Sequence, residues 1–153
     1  MNISPRRLPA IALCATLFAS GNALAHSDDY HDSQTAPNGG QIRTAGAYHF
    51  ELVMAKNSLD AQENPVIVHV TDHAYSKVPT AGAHGIATLL SGKQKINVKL
   101  TPDGENRLKG FGKYASAPEM KVVVSITWPG KAAEQARFTP LATEKNTQPD
   151  HKH

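Results

Sequence analysis

Eight histidines are the residues of this chain with the most chemistry to offer, and several have a second donor close by. His49 stands two residues before Glu51 in YHFELVM, and His69 lies mid-run in PVIVHVT. His73 follows Asp72, and His84 sits in the turn-like GAHG. Neutral imidazole nitrogens and carboxylate oxygens bind divalent first-row metals, copper(II) most strongly and then zinc, cobalt or nickel. If the segments carrying His49 and His69 pair as strands, the two imidazoles become cross-strand neighbours with Glu51 beside them, a workable His/His/carboxylate site. The plain alternative is a set of polar side chains on a solvated sheet face. His73 and His84 fall at strand ends, where loops gather and can bring ligands together. Asp72 can equally cap a turn while His73 packs on Tyr75. Met54 and Met120 offer soft sulfur, but isolated methionines on apolar strand faces are core filler.

The amino-terminal stretch NALAHSDDYH adds a different kind of chelator. Arg6 and Arg7, the apolar run Leu8 to Ser20 and the small-x-small Ala23-Leu24-Ala25 have the layout of a secretory signal peptide, residues 1–25. The run is shorter than the ~20 residues a membrane-spanning helix needs. Cleavage after Ala25 makes His26 the first residue, whose amine and Nδ1 together chelate one metal. A further imidazole then suits the square-planar preference of copper(II). Asp28, Asp29, His31 and Asp32 lie within reach in a polar tail, residues 26–36. Residues 142–153 form a second such tail, ending in the His-x-His of His151 and His153.

Export changes the charge and the redox chemistry. Both signal arginines leave, so the 16 basic residues of the precursor fall to 14 against 13 acidic ones, a net charge near +1 over 128 remaining residues. The basic balance that would favour nucleic acid disappears. The single cysteine, Cys14, leaves as well, which excludes a disulfide, a thiolate metal site and an iron–sulfur cluster. No nucleophile elbow, phosphate loop, dinucleotide fingerprint or H-E-x-x-H occurs, so neither catalysis nor an organic cofactor is expected.

These donors must be positioned by strands. Between residues 37 and 141 the hydrophobic pattern alternates, and Gly, Pro, Asn or Asp interrupts it at short intervals. Strands are expected at 41–44, 48–54, 65–71, 86–91, 94–100, 107–111, 120–128 and 135–139. Seven or eight short antiparallel strands make an all-β domain, an immunoglobulin-like β-sandwich or, as the alternative, a small β-barrel. No helical stripe occurs beyond a possible turn near Ala115 to Glu119.

PNGGQIRTAGAYHFELV, VHVTDHA, ATLLSGKQKINVKLTP, KVVVSITWPG and QARFTP together resemble a small exported domain of proteobacteria associated with heavy-metal efflux. Similar segments occur in the periplasmic adaptor proteins of metal-exporting pumps of the resistance–nodulation–division type. The resemblance covers about residues 37–140 and implies a periplasmic β-sandwich that works near metal resistance. His49 and His73 match its pattern most plainly, while His69 stands where an aromatic residue is commoner. The expectation is a periplasmic protein that binds or buffers divalent cations through His26, His31, His49, Glu51, His69, His73 and His84, associated with an efflux system. The alternative is a non-catalytic module that docks on an efflux adaptor without a specific metal site.

Overall fold

The computed structural model describes residues 36–143. The signal-like segment, nearly all of the amino-terminal tail with His26 and His31, and the end of the chain with His151 and His153 lie outside the described residues.

Eight strands form where the alternation places them: β1 (Gln41–Ala45), β2 (Tyr48–Met54), β3 (Gln62–Asp72), β4 (His84–Ser91), β5 (Gln94–Pro102), β6 (Arg107–Tyr114), β7 (Lys121–Thr127) and β8 (Glu134–Phe138). All neighbouring pairs are antiparallel. The main surprise in length is β3, which starts at Gln62 and runs through Pro65 without a break. Among the described residues there is no helix, and therefore none long and apolar enough to cross a membrane.

The strand order is β1-β2-β3-β6-β5-β4-β7-β8 in one sheet. β4, β5 and β6 run as a meander, β6 closes back beside β3, and β7 crosses to the far side of β4, which are Greek-key connections. Two facing sheets would require β5 and β6 to separate. The short link at Asp103-Gly104 instead keeps them adjacent, paired through Thr101–Lys109 and Pro102–Leu108. The sheet therefore curls into a nearly closed barrel, the alternative architecture rather than the immunoglobulin-like sandwich. Gly110 makes the close crossing possible, because a Cβ there would collide with the Lys99 carbonyl. At the seam, Thr139 N donates to Gln41 Oε1 at 2.8 Å and ties the chain after β8 to β1.

One face of every strand fills the interior. Phe50 and Leu52 of β2, Val66, Val68 and Val70 of β3, Leu100 of β5, Leu108 of β6 and Val122, Val124 and Ile126 of β7 are all fully buried. Met54 and Met120 join this core, as thioethers on apolar faces should. Tyr114 closes one end: its hydroxyl donates to the Pro65 carbonyl at 2.6 Å and accepts from Ala55 N at 3.0 Å. Trp128 packs on Tyr48 with ring centroids 4.6 Å apart, and its Nε1 donates to the Pro79 carbonyl.

Burial pushes the Tyr114 phenol above its ordinary value, and the Ala55 hydrogen bond opposes that only in part. A raised folded-state value means that this contribution to stability is complete below pH ~10 and is lost as pH rises through the folded value. Tyr114→Phe orphans the Ala55 amide and the Pro65 carbonyl. It should cost about 1–3 kcal/mol in denaturant unfolding at pH 7. The same substitution should also flatten the alkaline fall in the unfolding midpoint relative to the unsubstituted chain.

Candidate functional site

On β2 the alternation that sends Phe50 and Leu52 inward sends His49 and Glu51 to the outer face. That face is not solvated. His49 is only 8% exposed and Glu51 only 6%. Two chain segments cover them, one on each side.

The first cover is the turn Pro37-Asn38-Gly39-Gly40. The Glu51 carboxylate accepts from Asn38 N (2.8 Å), Asn38 Nδ2 (2.8 Å) and Gly40 N (3.1 Å). Three donors satisfy a buried charge that would otherwise be costly. The turn can lie this close only because Gly40 lacks a side chain; a Cβ would run into the Leu52 carbonyl. Glu51 is therefore a staple for the turn, and most of its acceptor capacity is used.

The second cover is the reversal after β3. Asp72 Oδ1 accepts from Ala74 N at 2.8 Å and Ser76 N at 2.9 Å, an Asx-type turn that brings the chain back so that Thr71 bridges to Lys77. Asp72 thus caps its turn, as one of the two sequence readings holds. Tyr75 sits in this turn at φ +60°, the left-handed region that a bulky side chain rarely occupies. The turn delivers two rings onto His49: His73 stacks on it (centroids 4.9 Å apart, planes 22° apart), and Tyr75 tilts against it at 5.0 Å. His73 packs on His49 rather than on Tyr75.

Between the covers lies a cavity of ≈ 400 Å³ whose lining includes Asn38, His49, Glu51, His69, Thr71 and Tyr75. Register decides how its donors meet. Strands β2 and β3 do pair, but His49 lies opposite Thr71, and His69 lies opposite Glu51. The two histidines are therefore diagonal neighbours on one face, a relation that normally separates Cα atoms by about 7–8 Å. Desolvation lowers the His69 value below that of free imidazole, with Glu51 pulling it up and Arg107 pushing it down. His69 is thus favoured as neutral imidazole at neutral pH.

His84 opens β4 opposite Thr127 and does not line this cavity. Among the described residues no three His, Cys, Asp or Glu side chains converge to hold a metal ion. Of the expected set, the fold gathers His49, Glu51, His69 and His73 into one neighbourhood and leaves His84 elsewhere. Sequence reasoning did not anticipate Tyr75, Asn38 or Gly40 as parts of the site. The PNGG turn signal was visible; its docking on Glu51 was not.

No protein-family model, curated protein or solved structure matches the chain.

Replacing Glu51 with Gln keeps the shape but turns one acceptor into an NH₂ facing amide donors. The expected cost is about 1–3 kcal/mol of stability. Hydrogen exchange at the Gly40 amide should accelerate more than exchange in the β4–β7 ladder. Equal acceleration at both places would show that Glu51 does not specifically hold the turn.

Proposed function

We propose that this chain is a non-catalytic, exported metal-handling domain that takes up a divalent cation loosely through the His49 and His69 imidazoles. The observation that carries the reading is the shared cavity: two histidines on adjacent strands, on one face, walled by a turn on each side. Copper(II) ranks first among the metals by imidazole affinity, followed by zinc, cobalt or nickel. Glu51 supplies negative charge beside the pair but is held by Asn38 and Gly40, so it orients and polarises rather than ligates. Two protein nitrogens leave most of a coordination shell to water or to donors from elsewhere. Such a site exchanges its ion instead of storing it, as suits a protein that buffers metal and passes it on. Cleavage after Ala25 would add the amine and imidazole of His26 as further donors. The periplasm, and association with the adaptor of a heavy-metal efflux pump, are the setting that the sequence resemblance supports.

A second reading is favoured by one observation, the lack of a three-ligand cluster among the described residues. On that reading the domain is an interaction module that docks on an efflux adaptor without a specific metal site.

Calorimetry on the processed chain separates the two. Saturable one-to-one copper(II) or zinc binding at pH 7.5 is expected, weakened about tenfold or more in His49→Gln and in His69→Gln. Affinity should fall as pH drops below ~6.5, because protonated imidazole cannot donate to a metal. Absence of saturable binding by any of the four metals would leave the docking module as the function. Binding that persists unchanged in both substitutions would place the metal elsewhere in the chain.

A further inference from the structure

Charge is unevenly spread over the barrel wall. Strands β4 to β7 carry Lys95, Lys99, Arg107, Lys109, Lys113 and Lys121 and contain no aspartate or glutamate. Arg107 is paired with Asp103 at 2.9 Å, whereas none of the lysines makes an ion pair among the described residues. Alternation sends the lysines outward, because Val98, Leu100, Leu108 and Val122 take the inner positions. The same outer face holds large apolar side chains that no other element covers. Ile86 is 52% exposed, Leu90 38% and Phe111 55%.

Register sets each apolar side chain beside a cation. Ile86 lies opposite Lys99, and Leu90 lies between Lys95 on β5 and Lys121 on β7. Lys109 Nζ stands 5.0 Å from the centroid of the Phe111 ring. Across the β3–β6 ladder, Glu63 is the carboxylate that faces this set, opposite Lys113. Lysine stems often shield apolar surface while their ammonium groups stay in water. Here Ile86 and Phe111 remain more than half exposed despite those neighbours. Apolar groups open to solvent, each with an ammonium alongside, suit a boundary between hydrocarbon and anionic headgroups.

We propose that the outer face of β4, β5 and β6 docks on the surface of an anionic phospholipid bilayer. Lys95, Lys99, Lys109 and Lys113 place their charges among the headgroup phosphates, and Ile86, Leu90 and Phe111 enter the boundary beneath. Two features favour lipid over an acidic protein. Outside the Arg107–Asp103 pair the cations of this face are all lysine, point charges on flexible stems that can follow a fluid array. Fixed carboxylates of a protein partner are better matched by arginine forks. The apolar side chains are also set singly, on β4 and β6 with β5 between them, whereas the anchors of a protein interface cluster in one packed centre. A second copy meeting this face symmetrically would bring the same lysines together. The face shares no residue with the histidine cavity, so it does not depend on the metal reading.

The test is co-sedimentation of the processed full chain with vesicles of phosphatidylglycerol and phosphatidylcholine in equal parts. Vesicles of phosphatidylcholine alone and soluble polyglutamate serve as comparisons. Saturable binding to the mixed vesicles is expected, about tenfold or more tighter than to phosphatidylcholine, and weakening as added salt screens the headgroups. Lys95, Lys99, Ile86 and Phe111 are exposed, so their substitution leaves the core intact, which an unchanged unfolding midpoint verifies. Lys95→Gln and Lys99→Gln should each weaken binding to the mixed vesicles roughly fivefold. Ile86→Ser combined with Phe111→Ser should weaken it roughly tenfold. Absence of binding to the mixed vesicles overturns the proposal, as does binding indifferent to both lysine substitutions. Polyglutamate bound as tightly as the mixed vesicles, with the two serine substitutions without effect, also overturns it and makes the face a dock for an acidic protein. Self-association in ultracentrifugation that Phe111→Ser abolishes overturns it in favour of a second copy.

Discussion

A carboxylate on the outer face of a strand, withdrawn from water, shapes the site. An ionised carboxyl in a protein interior costs several kcal/mol unless donors replace its hydration. Glu51 is almost fully buried, and its donors come from Asn38 and Gly40. That requirement draws the amino-terminal turn down onto β2, and the turn in turn keeps water from the outer face. His49 is buried partly because its neighbour needs a cover. The tight approach also explains the residue type at Gly40, where any side chain would push the turn away from the carboxylate it serves.

The opposite wall repeats the device with Asp72, whose carboxylate gathers the Ala74 and Ser76 amides. It holds the turn tightly enough for Tyr75 to remain in a backbone region that costs of order 1–3 kcal/mol for most residues. The consequence of that strain is placement, since the Tyr75 ring lies against His49. Glu51 and Asp72 are thus both engaged in holding loops. The division of labour is physical: the acidic side chains satisfy backbone amides, and the His49 and His69 imidazoles line the cavity between the turns.

The strands were largely legible from the sequence. Period-two alternation with turn residues between runs locates all eight, because an apolar interior imposes the same rule on every strand. Sheet closure was less legible, since alternation is identical in a sandwich and in a barrel. What distinguishes them is whether β5 and β6 stay paired, and that depends on Gly110 allowing backbone to approach backbone. The site was legible in its residue types and not in its geometry. His49, Glu51 and His69 do share a face, as alternation requires. Their register was not readable: one step in pairing decides whether His69 meets His49 or Glu51, and the pairing places it opposite Glu51. Nor does any local pattern disclose that a turn eleven to thirteen residues upstream folds back onto a particular carboxylate.

The filled interior constrains where any function must reside. Larger barrels enclose ligands, whereas small ones are packed with side chains. Here Phe50, Leu52, Leu89, Leu100, Leu108, Tyr114 and Ile126 occupy the inside. The packed interior leaves the outer face as the place where a site can form. The outer face of a strand ordinarily offers only solvated polar groups, too well hydrated to bind selectively. The loops solve this by burying a short stretch of the β2–β3 surface, so that imidazoles there are desolvated without entering the core. The barrel thereby carries a cavity lined by His49 and His69 on its outer face without giving up the packing that keeps it folded.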